Sequence, residues 1–168
     1  MDKRDYAHLR RSLPYSAMIY PASLSERFKY LLWRVITPIH PYIRDLIPQR
    51  VIERRYAKYR PNGRQDYLLG HIAPSETIES VADYLIHKGY GNHFVALRDQ
   101  GEVIGLRYVS NFKHQYHLRI FEDGEVRGHY EYTTECHPFL HDKQIGFEAR
   151  TEEFLNLLGN KIVPVSKS

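Results

Sequence analysis

Beyond residue 92 the apolar residues change from helical spacing to alternation, and a glycine-bearing pair interrupts the alternation twice. His93–Arg98 and Val103–Val109 flank Gln100-Gly101, while Gln115–Glu122 and Glu125–Thr133 flank Asp123-Gly124. Two-residue loops of this kind join antiparallel strands, and Asp-Gly is the stronger of the two signals. Four consecutive strands with short turns form an antiparallel meander. Counting back from Gln100-Gly101 places Leu97 opposite Ile104 and Val95 opposite Leu106. One face of the first hairpin is therefore apolar and needs cover.

Two helices flank the meander and can supply that cover. Ser75 precedes a stripe of Ile78, Val81, Ala82, Leu85 and Ile86, with Gly89 as a stop after the last turn. Thr151 is read as the cap of a C-terminal helix, with Glu152 and Glu153 in its first turn and Gly159 at its end. The expected class is α+β over residues 66–163, with a tail at 164–168. It comprises a helix, a four-stranded antiparallel meander and a C-terminal helix, preceded by a basic N-terminal helical segment.

That preceding half has a different character. Residues 1–22 show no clear period, carry Pro14 and Pro21, and read as an extended arm. Ser23 stands three residues before Glu26 in a capping-box spacing. Leu24, Phe28, Leu31, Leu32, Val35 and Ile36 then fall on one helical stripe that Pro38 ends. A second helix is expected from near Pro48 to about Arg60, stopping at the turn Pro61-Asn62-Gly63. Residues 1–64 hold 14 of the 24 Lys and Arg but 5 of the 20 Asp and Glu, a net of +9; the remainder is at −5. Such a split suggests a tethering surface for a polyanion joined to a mildly acidic folded body.

Several classes are excluded at this stage. Cys136 is the single cysteine, so no intramolecular disulfide can form. The start MDKRDYAHLRR has no apolar signal region, and no apolar run approaches the roughly 18 residues of a membrane span. The expectation is a soluble cytoplasmic protein. Gly-x-Gly-x-x-Gly, Walker and Gly-x-Ser-x-Gly frames are absent, which argues against nucleotide-dependent and α/β-hydrolase chemistry, and no cofactor is expected.

The second hairpin carries the densest reactive cluster. With Asp123-Gly124 as a two-residue turn, His117 stands opposite Tyr130 and Arg119 opposite Gly128. His117, Arg119, Tyr130 and Tyr132 then share one face, and Tyr116, Leu118, Ile120, Arg127, His129 and Glu131 the other; a one-residue slip exchanges these partners. A His to move a proton, an Arg to hold phosphate and a Tyr to donate or stack are sufficient for metal-free phosphodiester cleavage. The alternative is a polar surface strand without chemistry. His129, His137 and His141, with Cys136, Glu135 and Asp142, offer metal-ligand types, yet Pro138 disfavours a helix there and no ligand frame is complete, so no metal is assigned.

Gln115-Tyr-His-Leu-Arg, Arg127-Gly-His-Tyr-Glu-Tyr-Thr and His137-Pro-Phe-Leu-His141 together resemble the small toxin ribonucleases of bacterial and archaeal toxin–antitoxin modules. In those a Tyr/His-rich strand, a turn, a second strand and a Pro/His-rich tail recur. The resemblance spans residues 115–141, lacks the doubled His of that tail, and has no counterpart to residues 1–64. It implies RNA cleavage built on His117, His129 and Tyr130.

The basic segment has its own reading. Arg50, Arg54, Arg55 and Lys58 lie at helical spacing, interleaved with Tyr56 and Tyr59 and continued by Arg60 and Arg64. Arginines clamp phosphates and tyrosines stack on bases, so the mixture suits nucleic acid, RNA ahead of DNA. A solvated helix face, or one meeting the acidic half of another copy, is the plainer alternative. The leading expectation is a nucleic-acid-associated protein docking through this segment. The rivals are a metal-independent endoribonuclease using the second hairpin and an interaction subunit that meets a protein partner through helix 24–36.

Overall fold

The computed structural model describes residues 6–16, 67–92, 99–111, 114–132 and 146–165, together with twelve single positions between Leu24 and Arg54. The class is mixed α+β, built on one antiparallel sheet. Its strands are β1 (Tyr67–Ile72), β2 (Gly91–Asn92), β3 (Glu102–Asn111), β4 (His114–Phe121), β5 (Glu125–Tyr132), β6 (Gly146–Glu148) and β7 (Ile162–Pro164). They lie in the order β2-β3-β4-β5-β1-β7, and β6 pairs with the far end of β5. Of the meander read from the alternation, the second to fourth strands are present as β3 to β5, while the expected first strand, His93–Arg98, lies outside the described residues. Three further strands, β1, β6 and β7, were not foreseen.

The helices are α1 (Ala7–Ser12), α2 (Ile78–His87) and α3 (Thr151–Leu158). The capping of α2 differs from the expectation at Ser75: Thr77 is the N-cap, and it and Ser80 exchange side-chain to backbone hydrogen bonds at 3.1 and 2.9 Å. Ser80 thereby satisfies the donor that a Glu or Gln serves in the usual capping box. Thr151 is the first residue inside α3, and the residue before it, Arg150, has left-handed backbone at φ 39°. Gly89 and Gly159 follow α2 and α3 as expected, both with positive φ.

The apolar face comes from Ile104, Leu106, Leu118, Ile120 and Val126, covered by Val81, Ala82 and Leu85 of α2 and by Phe154 and Leu158 of α3. Burying side chains of this size is worth about 1.5–3 kcal/mol each, so this layer dominates the stability of the body. The expected partners in the first hairpin need correction: Leu106 stands opposite Asn92, not Val95. Val95 and Leu97 themselves lie outside the described residues.

Part of the N-terminal arm belongs to the same core. Within the stretch read as extended, Ala7–Ser12 is helical and Leu13 is buried with the core residues. Asn92 donates its backbone N–H to Pro14 O at 2.7 Å and its side-chain amide to Arg10 O at 2.8 Å, and Ser16 N–H donates to Asn92 O at 3.3 Å. The sheet edge at β2 is thus covered by its own chain, a common way to keep an edge from pairing with another molecule. Gly91 is required there, because a Cβ would overlap the backbone of Tyr15 and Ser16. At the other edge Pro164, placed in the tail from sequence, pairs with Gly70; an edge strand tolerates the missing N–H.

Leu24, Arg27, Phe28, Leu31, Leu32 and Val35 are helical, as are Arg50, Val51 and Arg54, in line with two N-terminal helices. All twelve described positions from Leu24 to Arg54 are exposed. Among the described residues no helix is long and apolar enough to cross a membrane.

Candidate functional site

The turn between β4 and β5 decides which side chains meet. Gly124 N–H donates to Phe121 O at 3.0 Å, and Gly124 adopts φ 85°. A turn closed this way, ending on a left-handed glycine, leaves three residues in the loop instead of two. Pairing therefore moves by one residue, and all of β5 changes face relative to the two-residue expectation.

In the observed register His117 stands opposite His129, Tyr116 opposite Tyr130, Arg119 opposite Arg127 and Gln115 opposite Glu131. On the other side of β4, Arg107 stands opposite His117 and Gly105 opposite Arg119. Arg107, Gln115, His117, Arg119, His129 and Glu131 consequently share one sheet face, away from the apolar core. Every one of them is buried, at 5% exposure or less. Buried charge and imidazole of this density require internal partners.

The partners are specific. The His117 and His129 rings stack 8° from parallel with centroids 4.9 Å apart. The Glu131 carboxylate lies 3.5 Å from His117 Nε2 and 3.3 Å from His129 Nε2. Burial pushes the His117 imidazole down to about 4 despite the opposing pull of Glu131, so its ring is neutral at pH 7. Arg107 donates from Nε to Ser16 Oγ at 2.6 Å and from Nη1 to Gln115 Oε1 at 3.2 Å. Arg119 Nη1 reaches Asp99 at 2.9 Å and Glu102 at 3.0 Å.

Tyr130 is on the opposite face, against the core, and is also buried. Its ring meets Tyr116 edge-on at 4.8 Å and carries the Arg150 guanidinium 3.6 Å above it, while its hydroxyl hydrogen-bonds a His114 ring nitrogen. Arg150 also holds Glu148 and the Tyr116 hydroxyl, at 2.8 and 3.1 Å. These contacts fix the arginine at the one position among the described non-glycine residues with positive φ.

The four residues singled out for cleavage are therefore divided. The structure brings His117, His129 and Arg119 to one face and sets Tyr130 on the other. The expected grouping of His117 with Tyr130 on one face is corrected by this register. A general acid or base must come within hydrogen-bond reach of the proton it moves, which burial on this face opposes. What the face does assemble is two imidazoles and a carboxylate with all ligand atoms within 4.8 Å of one another.

Arg107 and Gln115 were missed in the sequence reading, although both lie on strands it assigned. Glu131 was placed with His129, as period two dictates for His129-Tyr130-Glu131, but not with His117. Arg50 and Arg54 are exposed and helical, four residues apart in the sequence. Arg55, Tyr56, Lys58, Tyr59, Arg60 and Arg64 lie outside the described residues, as do Glu135, Cys136, His137, His141 and Asp142. Comparison of the chain with protein-family models, with curated proteins and with solved structures found no match.

Proposed function

We propose that this chain is a nucleic-acid-associated protein that docks on RNA through its basic helical segment, while the α+β body is carried with it. The observation that supports this reading best is that Arg50 and Arg54, four residues apart, are both helical and exposed, within a segment of net charge +9. Side chains four residues apart on a helix are neighbours, so the pair presents two guanidinium groups to one stretch of phosphate backbone. The hairpin residues are turned inward, which favours docking over cleavage as the role of the chain.

Salt dependence tests the proposal. Each phosphate contact contributes a slope of about 0.7 for single strands and 0.9 for duplex in log K against log salt. Fluorescence anisotropy of labelled RNA should show steep weakening with salt, and Arg50, Arg54, Arg55 and Lys58 changed together to Gln should flatten the slope by about three units. Binding indifferent to both salt and these substitutions would overturn it.

A second reading rests on a separate observation. Leu24, Phe28, Leu31, Leu32 and Val35 are exposed at 54–82%. An apolar helix stripe of this extent left to solvent fits the groove of a protein partner. Phe28→Ser with Leu31→Ser should leave folding stability within about 0.5 kcal/mol, as exposed positions do, while abolishing such an interaction. RNA binding that survives this pair unchanged would separate the two surfaces.

A further inference from the structure

We propose that His117, His129 and Glu131 form a binding site for a divalent first-row transition ion, zinc being the best fit. Two imidazole nitrogens and one carboxylate are a ligand set that zinc takes as three protein ligands with a fourth position open. The chemical class follows from donor type: imidazole favours zinc, iron, cobalt and nickel over calcium or magnesium, which prefer all-oxygen sites.

The geometry is close to what such an ion requires. Zinc–nitrogen and zinc–oxygen bonds of about 2.0–2.1 Å imply a tetrahedral edge of about 3.3–3.4 Å. His117 Nε2 lies 3.5 Å from Glu131 Oε1 and His129 Nε2 3.3 Å from Glu131 Oε2, so each imidazole is already near edge length from one carboxylate oxygen. One donor atom from each residue lies within 4.8 Å of the other two, so the edges close with side-chain movements of about 1.5 Å or less. Adjacent paired strands carry the donors, with His117 directly opposite His129, and rotation of the stacked rings brings their nitrogens toward a common point.

The surroundings also resemble the outer shell of a metal site. Gln115 is 1% exposed, stands opposite Glu131, and its Nε2 has no acceptor among the described residues. It can donate to the Glu131 carboxylate or to a solvent oxygen on the open position, the role that outer partners of metal ligands serve. Arg107 works against the ion, since it stands opposite His117 with a positive charge. Its guanidinium is engaged by Ser16 and Gln115, and Glu131 supplies the compensating negative charge.

The test uses the full chain after chelator treatment and removal of the chelator. Titration with zinc chloride should give one bound equivalent, and cobalt chloride should give the visible bands of a tetrahedral site. Nitrogen-15 NMR of the wild-type protein should show zinc shifting two imidazoles, those of His117 and His129. His129→Gln and Glu131→Gln should each weaken zinc binding at least tenfold. Absence of an equivalent in the folded wild type overturns the site. So does an equivalent whose affinity is the same in both variants, or one that shifts other imidazoles, because the ion then sits elsewhere on the chain. If either variant fails to fold, the wild-type NMR shifts decide alone.

Discussion

Arg119 on β4 and Glu102 on β3 form an ion pair at 3.0 Å with both side chains at 3% exposure or less. The same Arg119 nitrogen reaches Asp99, and Asp99 N–H donates to Glu102 at 2.9 Å, so one arginine ties the turn before β3 to the middle of the sheet. The guanidinium that sequence reasoning assigned to phosphate is committed to two carboxylates.

Removing one member of a buried pair strands the other, at a cost of about 3–5 kcal/mol, whereas replacing both by apolar groups is often close to neutral. Arg119→Met should therefore destabilise the protein by about 3 kcal/mol in urea denaturation. Arg119→Met combined with Glu102→Leu should recover at least half of that loss. A single variant as stable as the wild type would mean that the pair is solvated in solution.

Gly91 is the point where the N-terminal segment lies directly on β2. Gly91→Ala forces the backbone of Tyr15 and Ser16 away, and with it Leu13, whose burial is worth about 1.5–3 kcal/mol. Hydrogen exchange should then show lost protection at Ser16 and Asn92 amides, while β4 and β5 stay protected. Deleting residues 1–16 should likewise remove protection from the Asn92 amide, with a comparable loss of stability. Unchanged protection at Asn92 in either variant would contradict the docking of this segment.

Glu76 is held below the usual carboxylate range, first by the hydrogen bond from Lys161 and then by that from Ser80. Lys161 Nζ lies 2.7 Å from the carboxylate and joins the entry to α2 with the turn that follows α3. A depressed carboxyl binds fewer protons in the folded state. Its contribution is therefore present above the unfolded value near 4.3 and is lost as pH falls through the folded one. Lys161→Met should raise the Glu76 midpoint in a carbon-13 NMR titration and reduce the loss of stability on acidification below about pH 4. A midpoint unmoved by the substitution would show that the pair does not persist in solution.

Helices α2 and α3 and strands β3 to β5 were legible because their signals are local. Ile78, Val81, Ala82 and Leu85 repeat at helical spacing, and Gly89 and Gly159 stop their helices where they stand in the chain. Strands β3, β4 and β5 follow one another with short turns, so alternation together with glycine positions identifies them. Strand β1 was missed because its neighbours, β5 and β7, lie far along the sequence, and nothing in Tyr67–Ile72 by itself names them.

The sequence by itself determined the class of the fold, the succession of β3, β4 and β5, and the concentration of positive charge in the first 64 residues. Only the tertiary structure decided which side chains meet. The conformation of Gly124 added one residue to the loop and, through the two-residue period of a strand, carried Tyr130 to the core face and His129 to His117. Burial was likewise decided in three dimensions. Arg107, His117 and Glu131 read as surface residues by type, yet they lie inside, with Arg107 held by Ser16 of the N-terminal segment and Gln115 of β4, and His117 beside Glu131.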